Sequence, residues 1–372
     1  MAHPYSTLPP DQFWRSAVAE RSPFDIKGLW RPKFQIKKRA RIMTAGSCFA
    51  QHISRALVAR GYNWIDADPA PTHMTDAARR DYQYGVFSCR TGNIYTPKML
   101  HQWLTWATDP DTAPEIVWEK DGRFYDPFRP AVELGGFASP QELFASRRVT
   151  LAAMERAVRA ANFFVFTLGL TESWQEQASG TEFAICPGTV AGDFDPDAHV
   201  FVNHGFQSTY KSLRSAIGLA RKLNPRLRFL LTVSPVPLTA TAAPSHVLTA
   251  STQSKSVLRA VAGETAASLA HVDYFPSYEI ITHPAFRGMF FEPNMRGVTA
   301  RGVEFVMDSF FGDQAQAFSK AVKVQGPYGV TEEKTVTPDA PRTRTAVDQQ
   351  EADEDASDAV LCEEEMLDAF GK

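Results

Sequence analysis

The residues best suited to nucleophilic chemistry are Gly46-Ser47-Cys48, set between the apolar run Arg41 to Thr44 and the helical pattern Gln51 to Val58. The first reads as a buried strand and the second as a helix, so Ser47 falls on a strand-to-helix turn. Gly46 permits the tight backbone required there. A hydroxyl at that point stands at the carboxyl edge of a strand and beside a helix start, where free N–H groups can hold an oxyanion. Ser47 is equally suited to capping the helix, because serine is a preferred N-cap. Cys48 would be the nucleophile if the turn were read one residue later; otherwise its side chain packs inward from the first helical turn.

Such a hydroxyl needs a sheet to hold it, and the rest of the chain supplies the pattern of one. After the first helix, Tyr62 to Asp66 reads as a second strand, and residues 66–140 form a long insertion. Within it Thr96 and Pro97 open a helix that runs to Ala107, as N-cap and first-turn residues. Beyond Ser139-Pro140, a helix to Ala161 is followed by Phe163 to Leu168, a continuous apolar run ending at Gly169 that marks a buried parallel strand. Helix Ser208–Leu223, strand Leu227–Val233, helix Val247–Leu269, strand Val272–Phe275 and helix Thr299–Phe311 continue the alternation. Repeated β-α-β units of this kind predict a mostly parallel sheet in a three-layer α/β/α arrangement. Ligands of such sheets gather at the carboxyl ends of the strands, which is where Ser47, Gly169 to Glu172, Ser234-Pro235 and Pro276 to Glu279 fall.

Gly46-Ser47-Cys48-Phe49-Ala50 resembles the name motif of the bacterial GSCFA family, which is similar to the SGNH/GDSL esterases and lipases. Thr167 to Trp174, Thr232 to Pro237 and Tyr274 to Glu279 look like further blocks of that family, in the expected order, and extend the resemblance over residues 37–311. The resemblance implies an SGNH-like fold and a serine esterase or acyltransferase acting on an ester-linked acyl group, with glycans a common substrate of the superfamily. It implies an oxyanion hole made by the N–H of Ser47, a glycine N–H from a second block and an asparagine from a third. Arg90-Thr91-Gly92-Asn93 is the candidate second block, an ordinary Gly-Asn turn being the alternative. In the third, Gly169-Leu170-Thr171 places a hydroxyl where the superfamily has an amide, with the Glu172 carboxylate beside it. Trp174 either walls the pocket or belongs to the core. Asp126-Pro127-Phe128-Arg129-Pro130 also follows the family pattern; Arg129 could grip a carboxylate or phosphate with its planar fork, or pin the insertion to Asp126.

The general base departs from the pattern. Where SGNH enzymes carry Asp-x-x-His, this chain has Asn294 in the Asp position and Gly297 in the His position. A serine hydroxyl is a poor nucleophile until a neighbour takes its proton. Of the nine histidines, His283 lies in the loop between the last strand and the last helix, four residues past Glu279, and is the expected substitute. His204 and His52 are the runners-up, although His52 lies about 140° around the helix from Ser47. Arg296, from the divergent block, is a further candidate to bind substrate. No metal and no organic cofactor are expected. Loss of the usual pair also fits a non-catalytic binding protein.

Composition narrows the class. An apolar fraction of 44% suits a globular core, and no run of about 18 apolar residues offers a membrane span. The N-terminus lacks a basic region followed by an apolar one, and the cysteines at 48, 89, 186 and 362 lack paired metal-ligand spacing, so a cytoplasmic protein with reduced thiols is expected. The net charge of −3 conceals an asymmetry: from Thr331 onward the chain holds about 13 acidic residues against 4 basic ones. The remaining body is mildly positive, too diffusely for nucleic-acid binding. The expected organisation is an arm over residues 1–36, an α/β domain over 37–323 and a disordered acidic tail over 324–372. In that tail, residues 360–370 space apolar side chains at near-helical intervals and could dock in a partner protein's groove.

Overall fold

The computed structural model describes residues 3–319, the backbone strands 321–325 and 331–335, and residues 362–371. The chain divides into two compact units: residues 1–35 with 275–358, and residues 36–274 with 359–372. In the tail expected to be disordered over 324–372, residues 324–325 and 331–335 fall in strands and 363–370 in a 3-10 helix, while 326–330 and 336–361 lie outside the described residues.

The second unit is built on four parallel strands. β1 (Ile42–Gly46) leads to α1 (Ala50–Ala59), and the insertion holds α2 (Asp76–Asp81), α3 (Pro97–Thr108) and a hairpin of β2 (Trp118–Lys120) and β3 (Arg123–Tyr125). Then come α4 (Pro140–Ala160), β4 (Phe163–Leu168), an antiparallel pair β5 (Glu172–Glu176) and β6 (His199–Asn203), α5 (Phe206–Leu223), β7 (Arg228–Val233), α6 (Val247–Ser268) and β8 (Val272–Tyr274). The sheet order is β1-β4-β7-β8, every pair parallel. β1 and β4 are buried along their full length, and β7 along all but its first residue. That is why they read as unbroken apolar runs.

Local chemistry sets the helix starts. The hydroxyl of Thr96 accepts from Met99 N–H ahead of Pro97, and that of Ser139 accepts from Glu142 N–H ahead of Pro140. The expected second strand at 62–66 reduces to a single parallel bridge, Trp64 to Ile42, with the Trp64 indole donating to Thr44 Oγ1 at 2.9 Å. The β5–β6 pair falls in a stretch that has no clear period in the sequence.

In the first unit, α7 (Ser277–Thr282) precedes α8 (Ala300–Phe318), and β9 (Ala321–Gln325) pairs antiparallel with β10 (Thr331–Thr335). The N-terminal arm packs on α8 through aromatic rings: Trp30 lies 5.2 Å from both Phe275 and Phe310, and Phe24 lies 5.9 Å from Phe305. Trp30 N–H donates to Asp313 at 2.9 Å, tying the arm by a polar bond as well. No helix among the described residues is long and apolar enough to cross a membrane.

Candidate active site

The carboxyl ends of β1, β4 and β7 bring Ser47, Gly169 and Ser234 around one small space, of about 10 Å3. Gly46 has φ +140°, and a side-chain carbon there would fall 2.4 Å from Thr167 O, so only glycine lets β1 run this close to β4. Ser47 does not cap α1. The N-cap residue is Phe49, which makes no side-chain cap, while Ser47 O accepts from Ala50 N–H. The Ser47 hydroxyl is buried, 2% of the residue being exposed, and has no hydrogen-bond partner among the described residues. A buried polar group left unpaired costs stability. The Ser47 N–H, expected in the oxyanion hole, instead donates to Thr167 O at 3.0 Å and extends the sheet.

Gly92 and Asn93 form a buried turn. Gly92 has φ +65°, Asn93 is 2% exposed, and Ile94 N–H donates to Gly46 O at 2.8 Å, which anchors the turn beside β1. Arg129 stands behind it, fully buried, with Nη1 donating to Arg90 O at 3.2 Å and to Thr150 at 2.9 Å, Nη2 to Ser146 at 3.0 Å and Nε to Asp126 at 2.9 Å. These bonds occupy its fork, so Arg129 pins the insertion and positions the turn instead of offering a free guanidinium to a ligand. Arg147 grips the other side of Asp126 at 2.9 and 3.0 Å. Burial works against the Asp126 charge, but the two guanidiniums outweigh it and hold the carboxyl below the usual carboxylate range.

The third block is also engaged internally. Thr171 N–H donates to Ser254 Oγ at 2.9 Å and its hydroxyl to Asn203 Oδ1 at 2.7 Å, so neither is turned to an oxyanion. Glu172 accepts from Thr241 at 2.7 Å, and burial raises its carboxyl above the ordinary range. Trp174 packs between Phe194 and Phe201, at 5.2 and 5.5 Å, and serves the β5–β6 layer. Gly169 is tight by necessity: a side-chain carbon would stand 3.0 Å from both Ser47 Cβ and Tyr95 Cδ1.

The three candidate histidines each have surroundings of their own. His204 Nε2 meets Glu182 Oε1 at 2.6 Å, in a buried set that includes Ser173, Gln175 and Thr96. Burial, followed by Arg55, pushes His52 down to about 4, so it is neutral at ordinary pH. His283 belongs to the first unit, where its Nδ1 accepts from Ala285 N–H at 3.1 Å and its ring lies 5.7 Å from Trp14. Its backbone N–H bonds Glu279 O at 3.0 Å, closing α7. In the divergent block Asn294 Oδ1 accepts from the N–H groups of both Arg296 and Gly297 at 2.9 Å. The acid position of the usual pair is therefore a turn-builder.

A profile of the GSCFA family matches residues 41–310. The chain belongs to the GSCFA family. Among solved structures, the GSCFA chain is similar to a family 3 carbohydrate esterase from Clostridium thermocellum, at 11% identity and a TM-score of 0.27 over 74% of this chain and 94% of that one. No curated protein matches it.

Two residues lining this space escaped the sequence reading. Lys255 lines the space beside Ser47, is 4% exposed, and donates from Nζ to Gly169 O at 2.6 Å. Its signal is a stripe on α6: Ser251, Ser254 and Lys255 share one face at helical spacing and all are buried. Tyr95, 3% exposed, also lines the space and stands two residues beyond Asn93. Among the described residues, no group of three or more His, Cys, Asp or Glu is placed to hold a metal ion.

Proposed function

We propose that this GSCFA protein is a serine-dependent esterase or acyltransferase working on an ester-linked acyl group, with an acylated glycan as the substrate class. The observation that carries the reading is the buried Ser47 hydroxyl, unpartnered and relieved of capping, at the carboxyl edge of a parallel sheet. Ser47 Oγ attacks the acyl carbonyl and its proton passes to a base, for which Lys255, lining the same space, is the first candidate. The oxyanion is received by the Gly92 N–H and the Asn93 amide. Collapse of the adduct expels the alcohol, which takes the proton from that base, and leaves an acyl-serine. Water then releases the acid, or an acceptor hydroxyl takes the acyl group. His283 is the second candidate for proton acceptor, and single substitutions separate the two. None of the four cysteines is in a disulfide, and burial raises the thiols of Cys89 and Cys186, which suits a reducing compartment such as the cytoplasm.

A fluorophosphonate probe tests the chemistry. Labelling is expected on Ser47, lost in Ser47→Ala and retained in Cys48→Ala. Lys255→Met should slow it at least about a hundredfold if Lys255 is the base, that being the ordinary scale of general-base assistance, while His283→Ala leaves it within twofold. The reverse pattern transfers the role to His283. Absence of labelling in the folded full chain and in its Glu363→Ala variant would refute the enzyme and leave a binding protein.

A further inference from the structure

The described end of the acidic tail belongs to the same unit as Ser47, and its first residues are buried there: Cys362 is 8% exposed and Glu363 2%. Glu363–Phe370 forms a 3-10 helix with Met366 and Phe370 turned outward. A carboxylate this deep is costly unless its oxygens are received by donors. Asn93 Nδ2 donates to Glu363 Oε2, and Tyr95 OH donates to the same oxygen at 2.9 Å. Burial first, then the charges of Cys362, Glu363 and Glu364, push the Tyr95 hydroxyl well up, so it stays protonated and can only donate against a carboxylate. The other oxygen, Oε1, has no hydrogen-bond partner among the described residues and stands 3.2 Å from where a Gly92 side-chain carbon would be. Glu364 closes the space beside Ser47 and Lys255, leaving about 10 Å3, about one water-sized sphere.

The donors that receive Glu363 are neutral and fixed: an amide and a phenol next to a bare glycine backbone. Donors of that kind suit an oxygen that is negative only for part of a reaction. A carboxylate sitting among them resembles the acid an acyl-transfer site would release. We propose that the C-terminal tip, Cys362 to Glu364, is a tethered competitive ligand of the Ser47 pocket, with Glu363 as the carboxylate that Asn93 and Tyr95 recognise. The pocket is thus a carboxylate-binding site, and substrate enters when the tip leaves. The identification of substrate rests on the esterase reading; binding of the tip does not.

The test uses the full chain and a fluorescent peptide spanning residues 360–371. Anisotropy should show the peptide binding the Glu363→Ala protein, whose own tip is weakened, at least about tenfold more tightly than wild type, because a tip seated nine-tenths of the time lowers apparent affinity by that factor. A peptide carrying the same Glu363→Ala change should fail to bind. Backbone amide exchange over residues 363–370 should be protected in wild type and approach the free-peptide rate in Glu363→Ala and Asn93→Ala. Unprotected amides in wild type, or equal binding of both peptides, would overturn the proposal. Fluorophosphonate labelling of Ser47 separates the two ideas. A rise of about tenfold in Glu363→Ala supports the tip as a competitor, whereas specific peptide binding with Ser47 unlabelled in every variant supports the tip and defeats the enzyme.

Discussion

Replacing Arg129 with methionine should cost about 3–5 kcal/mol, the ordinary loss when one partner of a buried charge pair is removed. The substitution keeps much of the side-chain volume and removes four hydrogen bonds, to Asp126, Arg90 O, Thr150 and Ser146. Asp126 keeps Arg147 at 2.9 Å, which argues for the lower end, while the Arg90 carbonyl loses a charged donor, worth about 1–3 kcal/mol, which argues for the upper. Against a typical total of about 5–15 kcal/mol, that is a large fraction of stability. For a unit of about 250 residues it corresponds to a fall in Tm of roughly 6–20 °C. Urea unfolding followed by tryptophan fluorescence measures it. Arg148→Met is the control, since its pair with Asp111 at 3.4 Å has side-chain exposures of 70% and 87% and should contribute little. A loss below about 1 kcal/mol for Arg129→Met, or one equal to the control, would refute the idea that this network holds the Gly92-Asn93 turn in place.

Two further perturbations probe the frame of the site. Gly46→Ala combines a positive φ with contact against the Thr167 backbone and should destabilise by roughly 3–5 kcal/mol; Gly61→Ala, at φ +70° in open space, should cost only about 1–2 kcal/mol, and equal losses in denaturant would contradict the steric account. His52 has a folded-state value of about 4 against 6.5 unfolded, so the unfolded chain binds more protons in that window and stability falls with pH. The loss begins below pH 6.5, is complete below about 4 and amounts to about 3 kcal/mol at most. His52→Gln should flatten that part of the Tm–pH curve, and an unchanged slope would assign the acid sensitivity to other groups.

The sheet was readable because its strands are buried on both faces, which makes them uninterrupted apolar runs: Phe163–Leu168 has the same limits in sequence and structure. The helices that flank it follow from caps and prolines, as at Thr96-Pro97 and Ser139-Pro140. Less was legible where polar contacts from distant segments decide the conformation. The β5–β6 pair is organised around Glu182, which draws on Thr96, Ser173, Gln175 and His204 together, and no local period announces such a centre. Tyr62 to Asp66 has strand composition but only one bridge, its tryptophan being held by Thr44 through the indole.

The site shows the same division between position and activation. Ser47 is located by Gly46, because a β1–β4 contact that excludes a side-chain carbon can be written in one residue. The residues proposed to act with it or to close its pocket come from elsewhere: Lys255 from the interior of α6, Asn93 and Tyr95 from the insertion, Glu363 from the far end of the chain. Lys255 was hidden because lysine normally marks a helix's wet face, and only the adjoining Ser251 and Ser254, both buried, reveal that this face of α6 turns inward. Arg129 reads in sequence either as a ligand clamp or as a pin to Asp126, and following its donors to Asp126, Arg90, Thr150 and Ser146 decides for the pin. The distinction has a physical basis: a residue that binds ligands must leave donors unsatisfied in the free protein, and only the completed hydrogen-bond network shows which donors those are. By that criterion the informative atoms are the Ser47 hydroxyl, which nothing in the described fold receives, and the Asn93 amide and Tyr95 hydroxyl, which receive a carboxylate from outside the sheet.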